Sequence, residues 1–178
     1  MATWIGLLRG VNVGGNRLPM AELREELAGL GLENVRTYIQ SGNVVFDSSP
    51  EAACELAGTL GPRIEARFGF APRLLVLSAD DLRRAMGANP FREADEHPKS
   101  LHLYFLAERP TAPDTEGIDE VRAPTERWHL DGRTFYLHTP DGFGRSKLAL
   151  KAEKLLGVPA TARNWRTVAK LREMVEQG

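Results

Sequence analysis

The sequence predicts an α+β fold, and three observations lead to that prediction. Apolar runs of strand length alternate with segments of helical periodicity through the first 78 residues. Asp131-Gly132 separates two β-rich runs and is a strong hairpin signal. The hydrophobic fraction of 42%, with 26% charged residues, is typical of a globular chain with a packed core.

The first half, residues 1–78, predicts the element order β-α-β-β-α-β. The expected elements are strands at 3–9, 35–40, 43–47 and 73–77, with helices that begin at Pro19 and Pro50. Ser41-Gly42 predicts a two-residue hairpin turn, and Gly61-Pro62 predicts a break or a kink in the second helix. This order is the ferredoxin-like split βαβ pattern, a four-stranded antiparallel sheet with two helices on one face.

Residues 79–99 predict a connecting helix and loop, opened by a capping box of Ser78 and Asp81. Residues 100–178 predict a smaller α+β subdomain, which we expect to pack against the first half so that the chain is one compact unit. Its predicted elements are strands at 101–106, 126–130 and 134–138 and helices that begin near Ser146 and Asn164. Trp128 is expected to face Phe135 across the hairpin.

The charge balance excludes a strong global field, because the formal net charge is −1. Locally, residues 145–178 carry eight basic and three acidic side chains, a net of +5. This end of the chain is therefore the natural place for an anion, and the alternative is a solvated basic helix face. No apolar stretch approaches ~18 residues and no basic leader precedes an apolar run. We therefore predict a cytoplasmic protein with no membrane association.

Metal and cofactor chemistry have no signature in the chain. Cys54 is the only cysteine, so it forms no intrachain disulfide, and its neighbours predict a buried inert thiol. The four histidines have no metal-ligand spacing. We predict no metal and no cofactor.

The glycine-rich segment after the first strand, residues 10–16, is a candidate anion nest. Its glycines permit positive φ angles, so that successive N–H groups can converge on an anion. The spacing is neither that of a dinucleotide fingerprint nor that of a Walker loop. Arg9 and Asn12 add a charged and a neutral polar group beside it. The alternative is an ordinary turn between a strand and a helix.

Two further polar segments supply hydrogen-bonding groups that we expect to share a pocket with this turn. One is the predicted hairpin tip at 40–43, and the other comprises the basic starts of the last two helices, which favour anions. The alternatives are an exposed tip and plain helix caps. The candidate ligand-binding residues are Arg9, Asn12, Gly14, Gly15, Gln40, Ser41, Asn43, Ser146, Lys147, Arg163 and Asn164.

The segments 7–15, 37–46, 146–148 and 161–168 together resemble the bacterial domain-of-unknown-function (DUF) family 1697. The resemblance runs over essentially the whole chain. It implies an α+β fold with a ferredoxin-like first half, and it implies no known activity. Ala162 stands where the family usually has a second threonine, so no hydroxyl is expected there.

The leading hypothesis is that the chain binds an anionic small molecule, such as a nucleotide or another phosphate ester. No activated nucleophile is visible, so any turnover would rest on electrostatic stabilisation, and enzyme activity is left undecided. One alternative is binding of single-stranded nucleic acid, which the lack of a paired aromatic motif on the sheet disfavours. The other is a structural or oligomerisation module without a ligand.

Overall fold

The structure, a computed structural model, describes residues 1–177. Within that range the chain forms two antiparallel four-stranded sheets and six α-helices, which confirms the α+β class. The chain divides into two compact units. The first unit comprises residues 1–83 and 170–177, and the second comprises residues 84–169. None of the helices in residues 1–177 combines the length and the apolar character needed to cross a membrane.

The first unit contains the predicted element order β-α-β-β-α-β. Its elements are β1 (Ala2–Arg9), α1 (Met20–Gly29), β2 (Glu33–Tyr38), β3 (Asn43–Ser48), α2 (Pro50–Phe68) and β4 (Arg73–Ser78). The strands lie in the order β2-β3-β1-β4, and every neighbouring pair is antiparallel. This arrangement is consistent with a ferredoxin-like sheet. The opening strand β1 is central in it, so the segment that follows β1 leaves the sheet between two neighbours.

The core of the first unit fills one face of this sheet. Helix α1 contributes Leu23 and Leu27, and the sheet contributes Leu8, Val44 and Phe46, all nearly inaccessible to solvent. The side chains from α2 that complete this core are Ala53, Leu56, Leu60 and Ile64. Val11 and Leu18, at either side of the glycine-rich turn, are buried in the same core. The turn is therefore anchored at both ends by apolar burial.

Helix α2 is continuous from Pro50 to Phe68, so the break expected at Gly61-Pro62 is wrong, and the alternative, a kink at that place, stays a prediction. An internal proline costs a helix about 3 kcal/mol. Burial of Leu56, Leu60 and Ile64 stabilises the helix by about 2 kcal/mol for each side chain, which exceeds that cost. Cys54 lies on the opposite, exposed face of α2, so its predicted burial is also wrong.

The hairpin between β2 and β3 differs from the prediction as well. Tyr38 pairs with Asn43, which leaves a four-residue loop, residues 39–42, in place of a two-residue turn. Asn43 explains the difference, because its amide donates to the carbonyl oxygen of Tyr38 at 3.1 Å and to Ser41 Oγ at 2.9 Å. These bonds close the wider loop from inside.

Helix α3 (Ala79–Gly87) follows β4 and is opened by the predicted capping box. The Asp81 amide donates to Ser78 Oγ at 3.0 Å, and the Ser78 amide donates to the Asp81 carboxylate at 3.3 Å. Two of the orphan amides at the helix start are thereby satisfied. A short 3-10 turn at Arg92–Asp95 leads to the second sheet.

The second unit repeats the element order and the sheet order of the first. Its elements are β5 (Leu101–Leu106), α4 (Thr115–Val121), β6 (Arg127–Asp131), β7 (Thr134–His138), α5 (Lys147–Leu156) and β8 (Ala160–Asn164). The strands lie in the order β6-β7-β5-β8, which is the order of the first sheet with each element replaced by its counterpart. Helix α6 (Trp165–Glu176) ends the chain, and its residues divide between the units.

Strand β8 is an element that the sequence analysis did not predict. It pairs with β5 from Ala160 opposite Leu106 to Asn164 opposite His102. In the hairpin, Trp128 pairs with Leu137, and its ring stacks diagonally on Phe135 with centroids 5.9 Å apart. The predicted aromatic contact therefore exists, although Phe135 is the diagonal neighbour. The predicted packing of one half against the other stays a prediction.

Candidate functional site

The glycine-rich turn and Gln40 line one open cleft in the first unit, which we call the glycine-turn cleft. Its volume is about 420 Å³. The lining residues are Asn12, Val13, Gly14, Gly15, Asn16, Arg17 and Gln40. Four of the residues that the sequence predicted for ligand binding therefore lie on one concave surface, although they come from two separate loops.

The tip of the glycine-rich segment is a tight β-turn over residues 13–16. The Asn16 amide donates to the Val13 carbonyl oxygen at 3.0 Å, and the φ angles of Gly14 and Gly15 are 57° and 91°. Positive φ at both central residues is the signature of a type I′ turn. Gly14 and Gly15 are exposed, and their N–H groups have no hydrogen-bond partner within residues 1–177. Two neighbouring backbone donors are thus available to a bound anion.

Asn12 holds the turn against the hairpin loop. Its amide nitrogen donates to the carbonyl oxygens of Leu18 at 3.0 Å and Gln40 at 2.7 Å, and its oxygen accepts from the Leu18 amide at 2.9 Å. Both N–H donors of the side chain are used, and the residue itself has φ 54°. Asn tolerates this conformation better than most residues. Asn12 therefore shapes the cleft through internal hydrogen bonds.

Asn16 ties the two ends of the turn together, because its amide donates to the Gly10 carbonyl oxygen at 3.0 Å. Asn43 is completely buried and closes the hairpin loop from inside, where Ser41 Oγ accepts one of its hydrogen bonds. Ser41 and Asn43 thus lie behind the cleft wall and outside its lining. The side chains of Asn12, Asn16 and Asn43 all donate hydrogen bonds to backbone carbonyl oxygens of these loops.

Ile39 is held in a strained backbone conformation beside the cleft. The residue is 50% exposed. Its φ angle is 49°, which is a genuine outlier for a β-branched residue. The carbonyl oxygens on either side of it, those of Tyr38 and Gln40, accept from the side chains of Asn43 and Asn12. Backbone strain of about 1–3 kcal/mol persists only where the surroundings impose it, and it clusters at functional sites.

Arg17 is the cleft residue that the sequence analysis missed. It is exposed, lines the cleft and makes no ion pair with any of residues 1–177. Gln40 faces the same space, and its side-chain amide makes no hydrogen bond within the described chain. A cation only two positions after a pair of glycines was the available sequence signal. Arg17 lies one residue beyond the candidate anion nest at 10–16.

Arg9 lies at the end of β1, opposite Arg73 of β4, and it is exposed. It is not among the residues that line the glycine-turn cleft. Its predicted role as a phosphate ligand stays a prediction.

The other predicted site residues belong to the second unit. Ser146 is buried and caps α5 by accepting from the Ala149 amide at 2.9 Å, and Lys147 is exposed in the first turn of that helix. Asn164 ends β8 and accepts from the Thr167 amide at 2.9 Å, which caps α6. Burial lowers the pKa of Arg163 to about 10, and its guanidinium donates to the Ala162 carbonyl oxygen. That both sets of residues form a single pocket stays a prediction.

His102 is the histidine of the second unit whose pKa is lowered the most. Its ring stacks on Phe143 with centroids 3.6 Å apart, and its buried Nδ1 has no hydrogen-bond partner in the described chain. Burial lowers the pKa of His102 to about 4. Within residues 1–177, no cluster of three or more His, Cys, Asp or Glu side chains has a metal-binding arrangement.

His102 should make the fold sensitive to mild acid. Its pKa is about 4 when folded and near the ordinary 6.5 when unfolded, so the unfolded chain binds the proton more tightly between those values. Its contribution to stability is therefore complete above pH 6.5 and is lost as the pH falls towards 4. The measurement is the thermal unfolding midpoint of wild type and His102→Asn across this range. His102→Asn should lose less stability than wild type.

His129→Asn is the matched control, because His129 is exposed in β6, the edge strand of the same sheet, which β7 separates from β5. His138, whose pKa is lowered by burial and by Arg127, is kept in both variants and contributes with the same sign. Equal acid sensitivity in wild type and His102→Asn would contradict the prediction.

Comparison with known proteins gives a family and a fold. A family model described as "Protein of unknown function (DUF1697)" matches residues 1–136. The conserved bacterial protein SP0830 from Streptococcus pneumoniae has 25% sequence identity and a TM-score of 0.72, and the likeness covers 99% of each chain. A proposed glycine cleavage system transcriptional repressor covers 91% of this chain and 95% of its own, at 9% identity and a TM-score of 0.25. No curated protein matches the chain at a significant level.

Proposed function

The chain belongs to DUF1697, a family of proteins of unknown function, and we propose that it binds an anionic small molecule in the glycine-turn cleft. The proposed ligand is a nucleotide or another phosphate ester, and it is inferred from the chain's own residues. One observation carries this proposal. The neighbouring N–H groups of Gly14 and Gly15 and the cation of Arg17 face one cleft, and none of them is used inside the described chain.

The chemistry of these groups favours a phosphate oxygen. Successive backbone N–H groups in a turn with positive φ angles form an anion-binding concavity. The guanidinium of Arg17 adds a charged fork that suits phosphate geometry. Charge-assisted hydrogen bonds of this kind are roughly twice as strong as neutral ones. The volume of about 420 Å³ is within the range of small-molecule sites.

The neutral part of the ligand is proposed to lie against Gln40 and Val13. The Gln40 side chain offers both donors and an acceptor, and Val13 is 60% exposed, which is unusual for a large apolar residue of this chain. A nucleoside or a sugar attached to the phosphate has polar edges for the amide and an apolar surface for the valine. This combination supports an organic phosphate ester over inorganic phosphate as the natural ligand.

Pre-organisation supports the same proposal. Asn12 and Asn43 donate hydrogen bonds to the carbonyl oxygens on both sides of the strained Ile39, so the backbone of the cleft wall is held in place without a ligand. A rigid wall lowers the entropic cost of binding. The strained backbone at Ile39, which the hydrogen bonds of Asn12 and Asn43 hold in place, lowers the stability of the fold. Keeping a loop that is already shaped for a ligand is a reason for this loss of stability.

The proposal is for binding, and any turnover would be electrostatic. The cleft lining contains no Ser, Cys, His or carboxylate that could serve as nucleophile or general base. Donors aimed at a phosphoryl group would stabilise developing charge on its oxygens. Binding is therefore the step that the test addresses.

The test is isothermal titration of the full chain with a panel of nucleotides and sugar phosphates, supported by thermal shift. Arg17→Gln should weaken the tightest ligand about tenfold, because a charge-assisted contact contributes about 1.4 kcal/mol in a partly exposed site. Arg24→Gln is the matched control, since Arg24 is an exposed arginine of the same unit outside the cleft. Absence of binding across the panel, or equal affinities for both variants and wild type, would overturn the proposal.

A further inference from the structure

A second cleft lies at one end of the sheet of the second unit, and we call it the proline-walled cleft. Its volume is about 430 Å³. The lining residues are Glu96, His97, Pro98, Lys99, Ser100, Thr139, Pro140, Gly142 and Arg166. They come from the segment before β5, the segment after β7 and the first turn of α6, three parts of the chain that meet only through the fold.

The walls of this cleft are tied to each other by hydrogen bonds. The Trp165 indole donates to the Asp95 carboxylate at 3.0 Å, which fastens the start of α6 to the turn before Glu96. The Thr139 amide and hydroxyl both donate to the Ser100 carbonyl oxygen, at 2.7 and 3.3 Å. Ser100 in turn donates to the His97 carbonyl oxygen through its amide and its hydroxyl. Hydrogen bonds therefore connect the three chain segments that form the cleft.

The charges that face the proline-walled cleft are unbalanced. Lys99 and Arg166 are exposed, and neither makes an ion pair with any of residues 1–177. Glu96 is the acidic member of the lining, and its carboxylate is likewise not paired within that part of the chain. Two positive charges and one negative charge leave a net of +1. The cleft therefore matches a single negative charge better than the two of a phosphate monoester.

We infer that the proline-walled cleft binds a small organic carboxylate, with the carboxylate between Lys99 and Arg166 and the apolar body against Pro98 and Pro140. The planar guanidinium of Arg166 matches a carboxylate in a bidentate geometry. The two prolines are rigid and apolar, so they offer a surface to an apolar group at little entropic cost. The volume exceeds what a bare carboxylate needs, which leaves room for a body of ring size.

This inference goes beyond the proposed function, because it concerns another unit, another set of residues and another class of anion. The presence of Glu96 in the lining is the strongest evidence that the ligand is a monoanion. A site for a doubly charged anion gains nothing from a carboxylate in its lining, whereas a site for a monoanion tolerates one beside two cations. Removal of Glu96 should thus tighten anion binding, which is the opposite of what loss of a structural residue does.

The experiment is a ¹H–¹⁵N NMR titration of the full-length chain with benzoate, acetate and inorganic phosphate as probes. Benzoate is expected to bind more tightly than acetate, and to shift the amides around Ser100, Thr139 and Arg166. Arg166→Gln and Lys99→Gln should each raise the Kd for benzoate about tenfold. Glu96→Gln should lower it about threefold. Lys151→Gln, an equal charge change on the exposed face of α5, should leave it unchanged.

Three outcomes would overturn the inference. The first is phosphate binding at this cleft more tightly than benzoate. The second is a Kd for benzoate that is the same in Arg166→Gln, Glu96→Gln and Lys151→Gln, and the third concerns Arg17→Gln. Arg17→Gln separates this site from the glycine-turn cleft, since it should weaken phosphate esters and leave benzoate binding intact. Loss of benzoate binding in Arg17→Gln alone would contradict the inference and leave the proposed function standing.

Discussion

Replacing Gly42 by alanine is expected to destabilise the protein by about 3 kcal/mol, from overpacking and a left-handed backbone together. Gly42 has φ 78°, and a Cβ atom placed there would lie 2.7 Å from Leu8 Cβ and 2.8 Å from Val11 Cγ2. Both neighbours are buried in the core of the first unit. The hairpin loop can relieve this contact only by moving away from β1, whose Leu8 amide donates to the Gly42 carbonyl oxygen at 2.8 Å.

Gly14→Ala separates the two causes. Gly14 also has a positive φ, 57°, but no heavy atom lies within 4 Å of the added Cβ. Its alanine variant should therefore lose only the conformational part, about 1 kcal/mol. Free energies of unfolding from urea titration compare the two variants directly. Equal losses for Gly42→Ala and Gly14→Ala would mean that the close approach to β1 has no energetic weight.

Asn12→Ala should cost about 3 kcal/mol, because each of its three hydrogen bonds contributes about 1 kcal/mol. The variant leaves the backbone groups of Leu18 and the Gln40 carbonyl oxygen without their partner. It also places alanine at φ 54°. We further expect the loss of Asn12 to free the hairpin loop, so that ligand affinity at the glycine-turn cleft falls together with stability.

Asn16→Ala is the control for Asn12→Ala, since Asn16 lies in the same turn and its side chain donates one hydrogen bond, to Gly10. A loss of about 1 kcal/mol is expected for it. Urea unfolding again gives the comparison. If the two alanine variants were equally stable, Asn12 would not be the residue that joins the turn to the hairpin.

The order of elements in the first unit could be predicted because its strands and helices follow strong local signals. β1 carries apolar residues on both faces. Ser49 with Pro50 opens α2 in the manner that the sequence indicates, since Ser49 Oγ accepts from the Ala52 amide. β8 could not be predicted in this way. Residues 160–164 contain one β-branched residue and no aromatic one, so local propensity is weak. Pairing with β5 makes this segment a strand.

The site was predictable in part. The glycine-rich composition of residues 10–16 predicted Gly14 and Gly15 as ligand-binding residues. The structure brings them beside Gln40, which lies 25 positions after Gly15 in the chain. The role of Asn12 was not predictable, because its partners Leu18 and Gln40 are set by the close approach of two loops. The width of the hairpin loop escaped prediction for the same reason. It depends on the buried amide of Asn43, and burial is a property of the folded chain.

The strained Ile39 had no sequence signal at all. A β-branched residue predicts extended backbone, and the sequence analysis accordingly placed residue 39 inside β2. The strand instead ends at Tyr38, and Ile39 turns into the left-handed region under the hydrogen bonds of two asparagines. Tertiary hydrogen bonds override the preference of Ile39 for extended backbone, which is the pattern expected near a functional site.

We propose that the amides of Gly14 and Gly15 hold an anion beside Arg17. A ¹H–¹⁵N NMR titration of the full chain with the tightest-binding phosphate ester checks this residue by residue. The amides of Gly14 and Gly15 should shift most, with Gln40 responding through its side chain, and Arg17→Gln should weaken these shifts. Shifts that leave Gly14 and Gly15 unchanged while other residues saturate would contradict it.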